Sequence, residues 1–239
     1  MTRVDGRTHD ELRPISFERG IIAHAQGSVI VSFGRTRVLC AVMVEDGVPP
    51  FLRSTGKGWL TAEYSMLPYS TPSRLTRHSE HKQGRSHEIQ RLIGRSLRAA
   101  VDLDKIPEKT IWIDCDVLQA DGGTRCAAIT GAFVCLLDVD NWLQRKHITT
   151  DSILRHFCAA VSVGLVDNEP MIDLAFQEDS RAQVDMNLVM TAAGEFIEIQ
   201  ISGEEHTFSS DELTQLLALG KTGIQELITQ EKRLLQLDT

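Results

Sequence analysis

Two β-branched, apolar-rich runs, Ser28–Phe33 and Arg37–Val44, are separated by Gly34-Arg35-Thr36. The pattern predicts a β-hairpin. Pro49, Pro50, Gly56 and Gly58 keep residues 46–58 irregular before an extended pattern resumes over Trp59–Met66. From Leu67 to Gly84 the chain is polar and aperiodic, with Pro68 and Pro72, and is expected to form an exposed loop. Loops of this length are uncommon unless functional or disordered. Ile89, Leu92, Ile93, Leu97 and Val101 then fall on one helical stripe, with Ser86 as the expected N-cap and Glu88 in the first turn. Arg91, Arg95 and Arg98 lie off that stripe and are expected to face solvent or a ligand.

Thr110–Leu118 alternates Ile111, Ile113, Cys115 and Val117 with Trp112, Asp114 and Asp116, the signature of a half-buried strand. It is followed by Asp121-Gly122-Gly123-Thr124-Arg125 and then by an apolar, Ala-rich segment, Cys126–Leu143, without proline. This reads as strand, glycine turn and helix. Ala159–Leu165 and Met171–Phe176 flank the turn Asp167-Asn168-Glu169-Pro170, and Val184–Met190 and Glu195–Ile201 flank Ala192-Ala193-Gly194, giving two further hairpins. A last helix is expected over Asp211–Leu235, with Leu213, Leu216, Leu217, Ile224, Leu227 and Ile228 on one face and Ser209 or Ser210 as cap. The order β-β-β-α-β-α followed by β-β-β-β-α argues for an α+β, or mixed α/β, fold with helices packed on sheets. Residues 1–239 are read as one domain, with sub-lobes at about 10–145 and 155–239.

Composition narrows the class. At 42% hydrophobic and 24% charged, the 239 residues have the make-up of a globular protein rather than a disordered one. No run approaches the roughly 18–20 apolar residues of a bilayer span, and the start, Met-Thr-Arg-Val-Asp-Gly-Arg, is too charged for a signal peptide, so a cytoplasmic protein without a membrane partner is expected. The five cysteines lack any C-x-x-C spacing and read as buried small hydrophobes in a reducing compartment. A net charge of −8 argues against a polyanionic partner, but it is unevenly spread. Residues 1–105 carry +5, residues 106–166 carry −2 and residues 167–239 carry −11. In the densest basic segment, Arg74 to Arg98, six of the seven basic residues are arginine, whose planar fork matches phosphate oxygens.

Two constellations can carry chemistry. At the Gly122-Gly123-Thr124-Arg125 turn, two glycines let a bound group approach the backbone. The helix N-terminus there attracts an anion, and Thr124 and Arg125 add a hydroxyl and a fixed positive charge. A plain N-cap is the simpler reading of the turn alone. In Glu178–Asp185, a short helical turn would let Asp179 and Asp185 converge at one strand end. Two carboxylates plus substrate phosphate oxygens are a usual way to hold Mg²⁺; a turn cap and a surface carboxylate are the simpler alternative. His78-x-x-His81 lacks a third ligand nearby and reads as loop histidines. Trp59, Tyr64, Tyr69 and Trp112 can stack on bases, but at 5% aromatic content most of them read as core.

Five segments in order resemble the ribonuclease PH family of phosphate-dependent 3′ exoribonucleases, which trim transfer RNA precursors. They are Arg3-Val-Asp-Gly-Arg7 with Arg13-Pro14; Gly56-Lys-Gly-Trp-Leu-Thr-Ala-Glu-Tyr-Ser-Met-Leu-Pro68; Gly84-Arg85 with Glu88–Ala99; Asp116–Arg125; and Glu178-Asp-Ser with Asp185-Met-Asn187. The resemblance implies a β-α sandwich related to the second domain of ribosomal protein S5 and a homohexameric ring built as a trimer of dimers. It further implies that inorganic phosphate, the co-substrate, is held by Arg85, Gly123, Thr124 and Arg125. Asp179 and Asp185 would bind Mg²⁺ (or Mn²⁺) and, with Arg125, perform catalysis, while Arg74 and Arg77 would contact the RNA. Arg91, off the apolar stripe of the helix that follows, is assigned to the same RNA surface.

On this reading phosphate attacks the last phosphodiester of a tRNA precursor 3′ end, releases a nucleoside 5′-diphosphate, and the reaction also runs in reverse. The competing readings are a non-catalytic RNA-binding ring subunit of an exosome-like assembly and a metal-dependent hydrolase. The chain departs from the family pattern in three places. Tyr69 stands where arginine is usual, the loop after Arg77 is about two residues shorter, and Cys126 stands where threonine is usual. The first two bear on tRNA affinity; the third is expected to remove a hydroxyl beside the phosphate site.

Overall fold

The computed structural model describes residues 3, 5–76, 84–204 and 206–236; Arg77, His78 and His81 lie outside them. The first half forms five strands: β1 (Ile15–Arg19), β2 (Gly27–Phe33), β3 (Thr36–Asp46), β4 (Trp59–Met66) and β5 (Lys109–Gln119). They make a sheet in the order β1-β2-β3-β5-β4. The second half adds β6 (Cys158–Val166), β7 (Glu169–Ile172), β8 (Val184–Thr191) and β9 (Phe196–Gly203), in the order β7-β6-β8-β9. The helices are α1 (Gly84–Ala100), α2 (Thr124–Arg145), the single turn α3 (Phe176–Asp179) and α4 (Ser210–Gln236). The mixed α/β architecture agrees with the sequence expectation.

Alternation dictates the first sheet. Val29, Val31 and Phe33 on β2, Val38, Cys40 and Val42 on β3, and Ile111, Ile113, Cys115 and Val117 on β5 all turn inward and are essentially inaccessible. Each such side chain contributes about 1.5–3 kcal/mol by leaving water. α2 packs on β2 and β3 on one side and on β6 on the other, so it runs between the two sheets. This placement explains its composition, because a helix covered on all sides has no polar face to keep. It also amends the membrane expectation. α2 is long and apolar enough to cross a bilayer by length and composition, with a mean hydropathy of 1.4, yet 83% of that window is buried inside the protein. β6 is buried at every position, since α4 covers the sheet face opposite α2. All five cysteines are free and buried, as expected.

Several boundaries differ from expectation. β1 was not anticipated; none of its five residues is fully buried, so its apolar signal is weak. α1 is already helical at Gly84, which puts Ser86 inside the helix rather than at its cap. Val101 has left the helix and pairs with Leu154 in an isolated bridge. The β6–β7 turn is only Asp167-Asn168, both left-handed, and Pro170 already pairs with Leu165 on edge strand β7. A proline is tolerated there because an edge strand needs no donor on its open side.

Candidate active site

The glycine turn closes β5 and opens α2. Gly122 and Gly123 both have positive φ, 81° and 65°. A Cβ on Gly122 would collide with the Leu174 carbonyl oxygen and lie 2.8 Å from the Phe176 nitrogen, and one on Gly123 would lie 3.1 Å from an Arg13 guanidinium nitrogen. From sequence, these glycines are expected to admit a bound group to the backbone. At Gly122 it is instead the protein's own 174–176 backbone that comes close. Thr36, fully buried, ties the turn from the far side, accepting from the Asp121 N–H at 2.9 Å and donating to the Gly122 carbonyl at 2.7 Å. Gly123 caps α2 with its backbone and no side-chain oxygen, so the first N–H groups of a 22-residue helix stay open to an anion.

The close approach at Gly122 couples this turn to α3, which carries Asp179. Phe176 N–H donates to the Asp121 carbonyl at 3.2 Å, and Asp179 and Ser180 make helical bonds back to Ala175 and Phe176. Burial raises the Asp179 carboxyl above its ordinary value, against the opposing charges of Arg125, Arg85 and Arg13. Burial and then the Asp179 charge raise Asp185, against Arg125 and a hydrogen bond from Asn187. Two carboxylates and three arginines thus act on one another at one place. Arg85 lies on the first turn of α1 and is exposed; Thr124 and Arg125 are half-buried at the start of α2. The structure therefore gathers Arg85, Gly123, Thr124, Arg125, Asp179 and Asp185, and a helical turn does bring the two aspartates together.

Other expected residues lie elsewhere or are engaged. Arg74 is exposed in the irregular segment after β4, and Arg91 is exposed on α1. Arg95 is held by Glu198 through two bonds of 2.8 and 2.6 Å. Arg98 donates to the Leu60 carbonyl at 3.0 Å and covers the Trp59 ring at 4.7 Å. Arg98 thus serves packing, contrary to the expectation that it faces solvent or ligand, whereas the Arg95 side chain, though paired, stays 40% exposed. Cys126 is buried and its thiol donates to Asn187 Oδ1 at 3.3 Å, so the residue at that position keeps a donor but aims it at a side chain of β8.

Four sets of residues escaped the sequence reading as site components. Gln200 on β9 accepts from Arg125 at 3.1 Å and donates to Glu88, bracing the Arg125 guanidinium. Asn187, its cross-strand neighbour, donates to Asp185 at 3.3 Å. Tyr64 donates to Thr124 Oγ1 at 2.9 Å. Arg3, Arg7 and Arg13 converge on the 173–178 segment. Arg13 makes bonds of 2.9 and 2.6 Å to the Asp173 carboxylate and one of 2.6 Å to the Asp121 carbonyl, while Arg3 grips Glu178 at 2.8 and 2.6 Å. Burial would raise the Asp173 carboxyl, but hydrogen bonds and charge from Arg13, with charge from Arg7, hold it below the ordinary range. The available signal for these arginines was the opening Arg3-Val-Asp-Gly-Arg7 and Arg13-Pro14 motif, which carried the resemblance without a role.

Residues 11–141 match the model of the 3′ exoribonuclease family, domain 1, and residues 156–223 match domain 2 of the same family. Ribonuclease PH of Bacillus subtilis (strain 168) is 55% identical over 98% of this chain and 96% of its own length. Ribonuclease PH of Corynebacterium kroppenstedtii is 53% identical over 98% and 92%. Among solved structures, the exosome of Archaeoglobus fulgidus with RNA bound to the active site superposes with a TM-score of 0.82 at 22% identity, over 95% of this chain and 92% of that one. Rice (Oryza sativa) Rrp46 superposes with a TM-score of 0.78 at 19% identity, over 96% and 98%. These two share the fold. With both family domains matched in order and more than half of the residues shared with one relative along nearly the whole length, the chain belongs to the 3′ exoribonuclease family that includes ribonuclease PH.

Proposed function

We propose that this protein shortens RNA, tRNA precursors among its substrates, from the 3′ end by phosphorolysis. The observation that carries the reading is the convergence of an open helix N-terminus, Thr124, Arg125 and Arg85 with a pair of carboxylates raised by burial. Inorganic phosphate and an RNA phosphodiester are both anions, so charge neutralisation and alignment are the main catalytic tasks. Arg85, Arg125, the Thr124 hydroxyl and the α2 N–H groups hold the phosphate. One of its oxygens attacks the terminal phosphorus, the bond to the preceding 3′ oxygen breaks, and that oxygen takes up a proton. The nucleoside 5′-diphosphate leaves, and the reaction runs backward from diphosphates.

The donor set at Asp179 and Asp185 suits Mg²⁺ or Mn²⁺ shared with substrate. Among the described residues no group of three or more His, Cys, Asp or Glu forms a full cage, and Mg²⁺ commonly takes one or two carboxylates plus waters and phosphate oxygens. Such an ion, when bound, neutralises charge developing on the phosphates. A carboxyl raised by burial is also suited to hold the proton passed to the leaving 3′ oxygen. Because both carboxyls lie above 3.8, the folded state binds protons more tightly than the unfolded chain. Their contribution to stability is therefore lost as pH rises through the folded values. Asp179→Asn and Asp185→Asn are expected to melt at or above the parent temperature at pH 7, by roughly 2–4 °C for each kcal/mol relieved, while losing activity. Mg²⁺ is expected to raise the melting temperature of the parent alone. Near-parent turnover in both variants would overturn the assignment.

A product assay tests the reaction class. RNA with a free 3′ end is incubated with Mg²⁺, with and without phosphate. Diphosphates only in the presence of phosphate are the expected result. Monophosphates in either condition would establish hydrolysis, and no product a binding subunit. With Arg74, Arg77 and Arg91 on the RNA path, log affinity should fall against log salt by about 0.7 per phosphate contacted, and less steeply after their replacement by alanine. An unchanged slope would remove them from that path.

We further propose a homohexamer, a trimer of dimers, in the cytoplasm. Met43 and Trp112, paired in register on the outer face of the first sheet, stay 42% and 41% exposed and offer apolar surface to a second copy. Buried free thiols suit a reducing compartment. Light scattering reads the assembly directly.

A further inference from the structure

We infer that Tyr64 is a positioning residue for phosphate: by donating its phenolic hydrogen to Thr124 Oγ1 it turns the Thr124 O–H outward, toward the anion. The inference rests on the reading of Thr124 and Arg125 as the phosphate site. Tyr64 lies on β4, is 4% exposed, and its phenolic oxygen stands 2.9 Å from Thr124 Oγ1. A threonine hydroxyl has a single hydrogen but two acceptor lone pairs. When Tyr64 occupies one lone pair, the Thr124 hydrogen must point elsewhere. Thr124 opens α2, beside the N–H groups left without a side-chain cap, so a hydrogen turned away from Tyr64 is available to an anion held there.

The donor order follows from burial. Thr124 Oγ1 is the hydrogen-bond partner found for the Tyr64 hydroxyl among the described residues. Reversing the bond would leave a buried phenolic hydrogen without an acceptor, and buried polar hydrogens are seldom left so. Thr124, half-buried at the helix mouth, has an outlet that Tyr64 lacks. Burial also keeps Tyr64 protonated, with its pKa pushed up to about 12 against the Thr124 hydrogen bond and the charges of Arg85 and Arg125. The phenol is thus within electrostatic reach of both arginines assigned to the phosphate. An oriented hydroxyl does not have to be fixed at the moment of binding, which is the gain of preorganisation.

Tyr64→Phe removes one oxygen and keeps the ring. The expected result is a KM for phosphate raised about fivefold, a KM for RNA unchanged and a kcat within about twofold of the parent, the loss of one modest hydrogen bond. In a Thr124→Val background the same change should have no further effect on the phosphate KM, since coupled residues are not additive. An equal, additive effect there would overturn the inference, as would an unaltered phosphate KM in Tyr64→Phe while Thr124→Val raises it. If Thr124→Val and Arg125→Ala both leave the phosphate KM alone, it is the phosphate site itself that fails. A second measurement needs no Tyr64 variant. The chain has two tyrosines, so ¹³Cζ-labelled protein gives two signals, with Tyr69, 69% exposed, as reference. Inorganic phosphate should move the Tyr64 signal in the parent and leave it in place in Thr124→Val. A Tyr64 signal that stays still in the parent would overturn the inference.

Discussion

Replacing Arg125 by alanine is expected to lower the phosphorolysis rate by about 10²–10³, the range found when one well-placed donor to a transition state is lost. RNA affinity should stay within about twofold, because the arginines proposed to contact RNA, in the first half of the chain, are untouched. Three features make this effect large. Arg125 is the second residue of α2, so its charge adds to the positive end of the helix, the proposed phosphate position. Gln200, fixed in turn by Glu88, holds the guanidinium in place before substrate arrives. Arg125 also opposes the upward shift of both Asp179 and Asp185, so its loss leaves a half-buried carboxylate pair less compensated. Arg125→Lys keeps the charge without the planar fork and should fall between parent and alanine. Synthesis from diphosphates must decline in step, since both directions cross one transition state. Steady-state kinetics with phosphate and RNA varied separately measure all of this, and a loss below tenfold would remove Arg125 from the reacting centre.

Asp173→Ala should cost about 3–5 kcal/mol, the usual result of removing one member of a buried ion pair and leaving the other without compensation. For a chain of this size that is a fall in melting temperature of roughly 6–20 °C. Asp173 is 1% exposed and Arg13 is 4% exposed, so water cannot replace the lost partner. The carboxylate accepts the Arg13 backbone N–H at 2.8 Å as well as the guanidinium, and Arg7 stands 3.7 Å away. Asp173→Asn retains shape and some hydrogen bonding and should cost less. The pair also gives the fold an acid limit. Its folded carboxyl lies below 3.8, so its stabilisation is complete above that value and is lost as pH falls toward the lowered one. Thermal melts at pH 7 and across the acid range check both statements. A melting point within about 3 °C of the parent at pH 7 would mean that the pair carries little of the fold.

Much of the architecture was legible because it is local. The β2–β3 hairpin, β4 and α4 follow from alternation or helical spacing within a dozen or so residues, and their ends agree with the pattern to within a few positions. The Gly122–Arg125 turn and the Asp179, Asp185 pair were legible as chemistry, because glycine at a strand-to-helix junction and spaced carboxylates restrict what a chain can do. β1 and the parallel pairing of β4 with β5 were not, since weak burial leaves no period and pairing leaves no local mark.

By itself, then, the sequence determined where most of the strands and helices form and which residues can meet an anion or a cation. Only the tertiary structure decided which of them meet. Arg13 and Asp173 are 160 positions apart, and Arg3 and Glu178 are 175 apart. Periodicity within a window carries no information about a partner at such distance. Equivalent off-stripe arginines of α1 received different fates for the same reason, Arg95 and Arg98 going to Glu198 and Trp59 while Arg91 stays exposed. Charge and hydrogen-bonding capacity are properties of a residue, but burial beside a partner is a property of the fold. It is burial beside those partners that raised two ordinary aspartates and a tyrosine at one place in the fold.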